Sequence, residues 1–200
     1  MRKAIQHLIA ADPVMADIIE RVGPYKIMYR EPTFENLARS IVYQQLSGKA
    51  AGTIFGRVVE AAGGQITPES ILGLSFEQLR SLGLSKQKAA YVLDLAGRTA
   101  RAELMFDKLL EMEDEHVLEH LTQVKGVGVW TVQMFLMFAM RRPNVLPVGD
   151  LGIQNAVKKA YRLRRKVTPK DVARIGKRWD PYCSVATWYL WRSLELPKES

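Results

Sequence analysis

Cysteine is almost absent from this 200-residue chain: Cys183 stands alone. A single thiol makes no internal disulfide and no cysteine-rich metal or iron–sulfur site, so a reducing, intracellular and cytoplasmic setting is expected. Histidine is scarce as well. His7, His116 and His120 form no HExxH unit, and although His116 and His120 are four apart, no third ligand accompanies them. Long apolar runs are missing. No segment reaches the roughly 18 apolar residues that a membrane span needs, and "MRKAIQHLIAADPVMADIIE" lacks the apolar core and cleavage site of a signal peptide. A GxSxG elbow, a P-loop and a pair of catalytic carboxylates are also lacking.

Acid is missing from one place. The chain holds 29 Lys and Arg against 21 Asp and Glu, a net charge of +8. Between Lys158 and Arg178 stand ten basic residues and one acid, Asp171, so that this stretch alone carries +9 and the rest of the chain −1. Most short charge runs are solvated surface. This density points to a polyanion partner.

Strand signals are missing too: β-branched alternation is sparse and no Asn-Gly or Asp-Gly hairpin occurs. What is present is helical. "DPVMADIIERVG" offers Asp12 as N-cap, Pro13 at the first helical position and Gly23 at the stop. "TPESILGL" and "TPKDVARIGKRW" repeat the cap-then-proline order at Thr67 and Thr168, and "SFEQLRSLG" reads as a capping box from Ser75 to Gln78. "SKQKAAYVLDLAGRTARAE" is amphipathic, with Ala89, Val92, Leu93 and Ala96 on one face. The fold class is all-α, a compact two-lobed helical bundle of roughly ten or more helices. The expected organisation is one domain over 1–200, with lobes at approximately 35–145 and at 1–34 plus 146–200 and a cleft between them.

"VKGVGVW" joins the helix "DEHVLEHL" to the apolar segment Val129–Met140. Gly126-Val127-Gly128 is only G-x-G, and Thr131 stands where a dinucleotide fingerprint needs its third glycine. The order helix, glycine hinge, helix leaves backbone N–H groups at the start of the second helix, which suits a phosphate, and Lys125 adds charge. An ordinary tight turn explains the same residues equally well. The segment after it has Thr131 and Gln133 as its polar residues, so it is expected to be buried all round. Asp150, in "NVLPVGDLGIQNAV", suits a helix N-cap and, if it faces a cleft, a catalytic carboxylate. Trp179, Trp188 and Trp191, and Tyr25, Tyr29, Phe34 and Tyr43, read first as core.

The combination resembles the helix-hairpin-helix–Gly/Pro/Asp superfamily of DNA glycosylases. It rests on "LTQVKGVGVWTVQMFLMFA" followed by "LPVGDLGI", with "SIVYQQLSGKAA" and "SLGLSKQKAAYVLDLA" as further segments. "WDPYCSVATWYLW" is similar to the C-terminal segment of the 3-methyladenine DNA glycosylase II (AlkA-like) branch. The resemblance implies that Asp150 is the catalytic aspartate and that Lys125, Gly126, Val127, Gly128 and Val129 bind the DNA backbone. It adds an alkali-metal ion, Na or K, on carbonyls near Thr122, Val124 and Val127, with no cofactor otherwise required and no iron–sulfur cluster. Gln44, Gln45, Leu46 and Ser47 fall in the DNA-binding segment that fills the gap left by a flipped nucleotide, with Leu46 as the plug and Gln45 as its alternative. Trp130 and Trp191 match aromatic positions of the base pocket, to which Tyr43, Phe34 and Met134 are added as lining residues; Met134 stands where some relatives place an aromatic residue.

Bifunctional relatives carry a Schiff-base lysine where this chain has Trp130, so the resemblance implies base excision without strand cleavage. The expected activity is hydrolytic release of alkylated purines, of the 3-methyladenine and 7-methylguanine type, from damaged double-stranded DNA by a monomer. Two rival readings stay open: a non-catalytic helix-hairpin-helix DNA-binding protein, and a glycosylase for a deaminated base.

Overall fold

The computed structural model describes residues 1–197. Among them are thirteen α-helices and one short 3₁₀ turn, Lys177–Trp179, and no strand. In chain order the helices are α1 (Arg2–Ala11), α2 (Pro13–Val22), α3 (Phe34–Tyr43), α4 (Gly48–Ala61), α5 (Pro68–Leu72), α6 (Phe76–Ser81) and α7 (Lys86–Ala100). There follow α8 (Phe106–Leu109), α9 (Asp114–Leu121), α10 (Val129–Phe138), α11 (Leu151–Ala160), α12 (Pro169–Gly176) and α13 (Cys183–Ser193). None is long and apolar enough to cross a membrane.

The local signals act where the sequence places them. Asp12 accepts the Val14 N–H and caps α2, and Gly23 ends it at φ +80°. Thr67, Ser75 and Thr168 each form a capping box, with Ser70, Gln78 and Asp171 as the reciprocal partners. Helices α1 and α4, and the single turn α8, are absent from the sequence reading; α1 and α4 lack the strongest start signal. Neither carries a proline start, and α4 contains glycines at 48, 52 and 56, which lower helix propensity.

The chain divides into two compact units, Arg30–Phe135 and Met1–Tyr29 with Leu136–Ser200. The lobes expected from the sequence change at 34/35 and 145/146; the first change of unit lies at 29/30. The second falls inside α10, about ten residues before the loop near 145–150. Phe135 and Leu136, on either side of that point, are both buried.

In the 30–135 unit, α7 packs on α3, α5 and α6 and buries Ala89, Val92, Leu95 and Ala96. Leu95 takes the place expected of Leu93, which is partly exposed. In the other unit α13 packs on α2 and α11, and its core is built on Trp179, Trp188 and Tyr189 with Leu8, Met15 and Ile153. Two of the four tryptophans are thus core. Trp130, by contrast, is half exposed, as is Val129; from Thr131 onward α10 is buried except at the half-buried Gln133, Met134 and Phe138.

Candidate functional site

The hairpin is built first by one glycine. After α9 the chain turns through Thr122–Gly128, with the Val127 N–H donating to the Val124 carbonyl at 3.0 Å. Gly126 has φ +78°, and a Cβ there would lie 2.0 Å from the Tyr91 ring. No side chain fits, so glycine is required on both counts. Gly128 is different: a Cβ there meets nothing within 4 Å. Its absence leaves the start of α10 open to a close approach from outside.

Helix α7 braces the turn. Asp94 accepts the Lys125 backbone N–H at 2.9 Å and the Arg98 Nε–H at 3.1 Å, and the Lys125 ammonium lies 3.9 Å away. Burial opposes the Asp94 charge, but the Lys125 N–H and the Arg98 guanidinium outweigh it and hold the carboxyl below the usual carboxylate range. The Lys125 head remains largely exposed.

The "YQQLS" segment leaves the helix after its first residue. Helix α3 stops at Tyr43, and Gln45 takes φ +55°, a left-handed conformation that few non-glycine residues adopt. Leu46 is 40% exposed, which a plug requires. The Gln44 side-chain amide donates to the Gly126 carbonyl at 2.9 Å and reaches Thr131 Oγ1 at 3.5 Å, so this loop is tied directly to the hairpin. Ser47 caps α4 by accepting the Ala50 N–H.

Beside these two loops Ser40, Tyr43, Gln44, Gln45, Trp130, Thr131 and Met134 line a depression of about 530 Å³. Tyr43, Trp130 and Met134, three of the five residues expected to line the base pocket, are therefore brought together. Phe34 is not. It is buried against Phe106 and faces a separate depression with Glu31, Pro32, Met105 and Leu110. Phe34 and Tyr43 are nine residues apart on α3, about two and a half turns, and so point to opposite sides of that helix.

Asp150 and Trp191 lie in the other unit. Asp150 is the N-cap of α11, and its Oδ1 accepts the Ile153 N–H at 2.7 Å. The same oxygen accepts the Trp191 indole N–H at 2.9 Å. Trp191 in turn stacks on Phe138, with ring centroids 6.1 Å apart and an interplanar angle of 13°. A Cβ at Gly152 would come within 2.9 Å of Asp150 Oδ1 and 3.2 Å of the indole, so the close packing of carboxylate and ring depends on that glycine. The loop before Asp150 is held by its own N–H donating to Pro147 O and by the Gln154 amide donating to Val148 O. Trp191 is thus a partner of the carboxylate, a role the sequence does not announce across a separation of 41 residues.

The basic stretch is partly engaged within its own unit. Arg165 forks onto Asp171 at 2.7 and 2.5 Å, Arg174 lies 4.0 Å from the same carboxylate, and Arg178 lies 3.8 Å from the buried Asp12. Three of the ten cations therefore have structural partners. Cys183 is buried, and burial pushes its thiol up to about 12, which removes it as a nucleophile.

A family model for the HhH-GPD superfamily of base excision DNA repair proteins matches residues 38–181. The chain belongs to that superfamily. DNA-3-methyladenine glycosylase 1 of Schizosaccharomyces pombe is 34% identical over 202 residues, 98% of this chain and 89% of its own length. The solved structure of 3-methyladenine DNA glycosylase Mag1 of that organism, in complex with abasic DNA, superposes with a TM-score of 0.85 at 34% identity and covers 97% of both chains. A longer Bacillus subtilis relative, YfjP, is 38% identical over 166 residues; the match spans 80% of this chain and 58% of that protein.

Proposed function

We propose that the chain is a monofunctional DNA glycosylase that hydrolyses the N-glycosidic bond of alkylated purines in double-stranded DNA. The observation that carries this reading is the Asp150 carboxylate, fixed by the Ile153 N–H and the Trp191 indole, in a chain that aligns along nearly its whole length with a DNA-3-methyladenine glycosylase.

The chemistry follows from the substrate. A base inside a duplex is out of reach and must be flipped out. Lys125 and the N–H groups at the start of α10 hold the backbone, and Leu46 fills the vacated space. An N3- or N7-methylated purine carries a positive charge and leaves readily with the electron pair of the glycosidic bond. The faces of Trp130 and Tyr43 favour such a base by roughly 0.5–2 kcal/mol. The sugar left behind is a cation, and the Asp150 carboxylate stabilises it. Asp150 also orients the water that adds to the sugar carbon, whose proton passes to the carboxylate and on to solvent. Trp130 supplies no amine, so no Schiff base forms and the strand stays intact.

An alkali-metal ion held by the Thr122, Val124 and Val127 carbonyls is part of this reading. The Val124 carbonyl accepts one hydrogen bond and keeps a second lone pair, while the Thr122 hydroxyl turns away to Leu118 O. Such an ion would add positive charge facing a phosphate. The protein acts inside the cell as a monomer on this reading.

The test is incubation with duplexes carrying defined lesions, scoring freed base and strand nicks separately. Free 3-methyladenine or 7-methylguanine with an unbroken backbone is expected from the wild type. Asp150→Asn is expected to bind DNA and release nothing; full activity in that variant sinks the proposal. Binding to damaged and undamaged duplexes with no base released would favour a non-catalytic DNA-binding role, and release of a deaminated base alone would assign a different substrate.

A further inference from the structure

The end of α3 has an unusual support. The last carbonyls of a helix lack partners within it and are commonly satisfied by a glycine C-cap. Here a glutamine, Gln45, takes the left-handed conformation, which is strained for a side-chain-bearing residue. What accompanies it comes from a different helix. The Lys88 ammonium, on the first turn of α7, donates to the Val42 carbonyl at 2.7 Å and to the Gln44 carbonyl at 2.6 Å. Burial lowers the Lys88 pKa, so the group is held there against a desolvation cost. A cation at this end of α3 also suits the helix dipole.

Gln44 is gripped twice. Its backbone carbonyl is held by Lys88 and its side-chain amide by the Gly126 carbonyl of the hairpin. Six residues further along α7, Asp94 holds the Lys125 N–H of that same hairpin. One helix therefore anchors both loops through two side chains, Lys88 and Asp94.

We infer that Lys88 is a positioning residue for the plug: by bonding the Val42 and Gln44 carbonyls it sets the backbone from which Gln45 and Leu46 fill the space of a flipped nucleotide. This inference rests on the proposed DNA-glycosylase reading for its assignment of the loop. It predicts that Lys88 matters to the flipped state more than to DNA binding in general. A merely structural role would weaken both alike.

The experiment compares wild type, Lys88→Met and Lys88→Arg for affinity to an undamaged duplex and to the same duplex bearing a tetrahydrofuran abasic-site analogue. Melting curves establish that the variants compared are folded, and Lys88→Gln, which keeps a donor, replaces Lys88→Met if that variant does not fold. Lys88→Met is expected to lose roughly tenfold or more in affinity for the abasic duplex, the scale of one hydrogen bond to a charged group, with little change on the undamaged duplex. Lys88→Arg is expected to recover most of the loss. Equal losses on the two duplexes, or none on either, overturn the inference. A wild-type protein that releases no methylated purine, yet shows this Lys88-dependent preference for the abasic duplex, refutes the catalytic reading and leaves the role of Lys88 standing.

Discussion

At the scale of single residues, one oxygen carries two duties. Asp150 Oδ1 starts α11 by accepting the Ile153 N–H and is also the acceptor for Trp191. Hydrogen bonds to a charged group contribute about 1.5–3 kcal/mol each, so Trp191→Phe, which keeps the stack on Phe138 but removes the donor, loosens the carboxylate. The expected result is a roughly tenfold or greater fall in the single-turnover excision rate, with affinity for undamaged duplex retained. An unchanged rate would show that the Trp191 donor is not needed to orient Asp150. The cap at Asp150 was legible in the sequence because caps are local, set by residues three apart. Its pairing with Trp191 was not, since nothing in a linear pattern joins positions 41 apart. Phe34 shows the converse error: nearness to Tyr43 in sequence said nothing about which side of α3 it occupies.

At the scale of elements, the two hairpin glycines separate. Gly126→Ala must place a methyl group inside the Tyr91 ring at a backbone angle of +78°. Left-handed strain and overpacking together give an expected loss of about 2–5 kcal/mol, read as a lower melting temperature, and DNA binding is expected to fall with it. Tyr91→Ala in the same chain is expected to restore part of the stability. Gly128→Ala meets open space, so its melting temperature is expected to match the wild type, and any loss appears in DNA affinity alone. The G-x-G spacing revealed a turn and no more. Which glycine is sterically required depends on Tyr91, and the bracing of the two loops on Asp94 and Lys88, three residues of α7 that entered the sequence reading only as a helical pattern. Their contacts with the hairpin and the plug loop span 31 to 46 residues, beyond the reach of local periodicity.

At the scale of the whole molecule, net charge and its internal use diverge. The +9 stretch marks a polyanion-binding protein, yet Arg165, Arg174 and Arg178 surround Asp171 and Asp12. The Arg165 guanidinium, with the Thr168 N–H and hydroxyl, holds the Asp171 carboxyl well below the usual carboxylate range. A depressed folded pKa contributes stability that is present above the ordinary value of about 3.9 and is lost as pH falls through the folded value. Asp171→Asn is therefore expected to lower the melting temperature at neutral pH, and the gap to the wild type is expected to shrink as pH drops below about 4. A gap independent of pH would assign the effect to the capping box instead. The all-helical class was legible from caps and spacing across the chain. The second unit boundary was not, because α10 carries it without a turn, a proline or a change in composition.

The double duty of Asp150 has a consequence outside catalysis. A survey of variants scored only by how much folded protein accumulates, with no DNA present, would still single out this position. Asparagine keeps the acceptor oxygen and would pass unnoticed; alanine, valine or leucine would leave the Ile153 N–H and the Trp191 indole without an acceptor and would be depleted. Selection for the fold thus guards the carboxyl oxygen against nonpolar replacement, and only selection for chemistry distinguishes aspartate from asparagine.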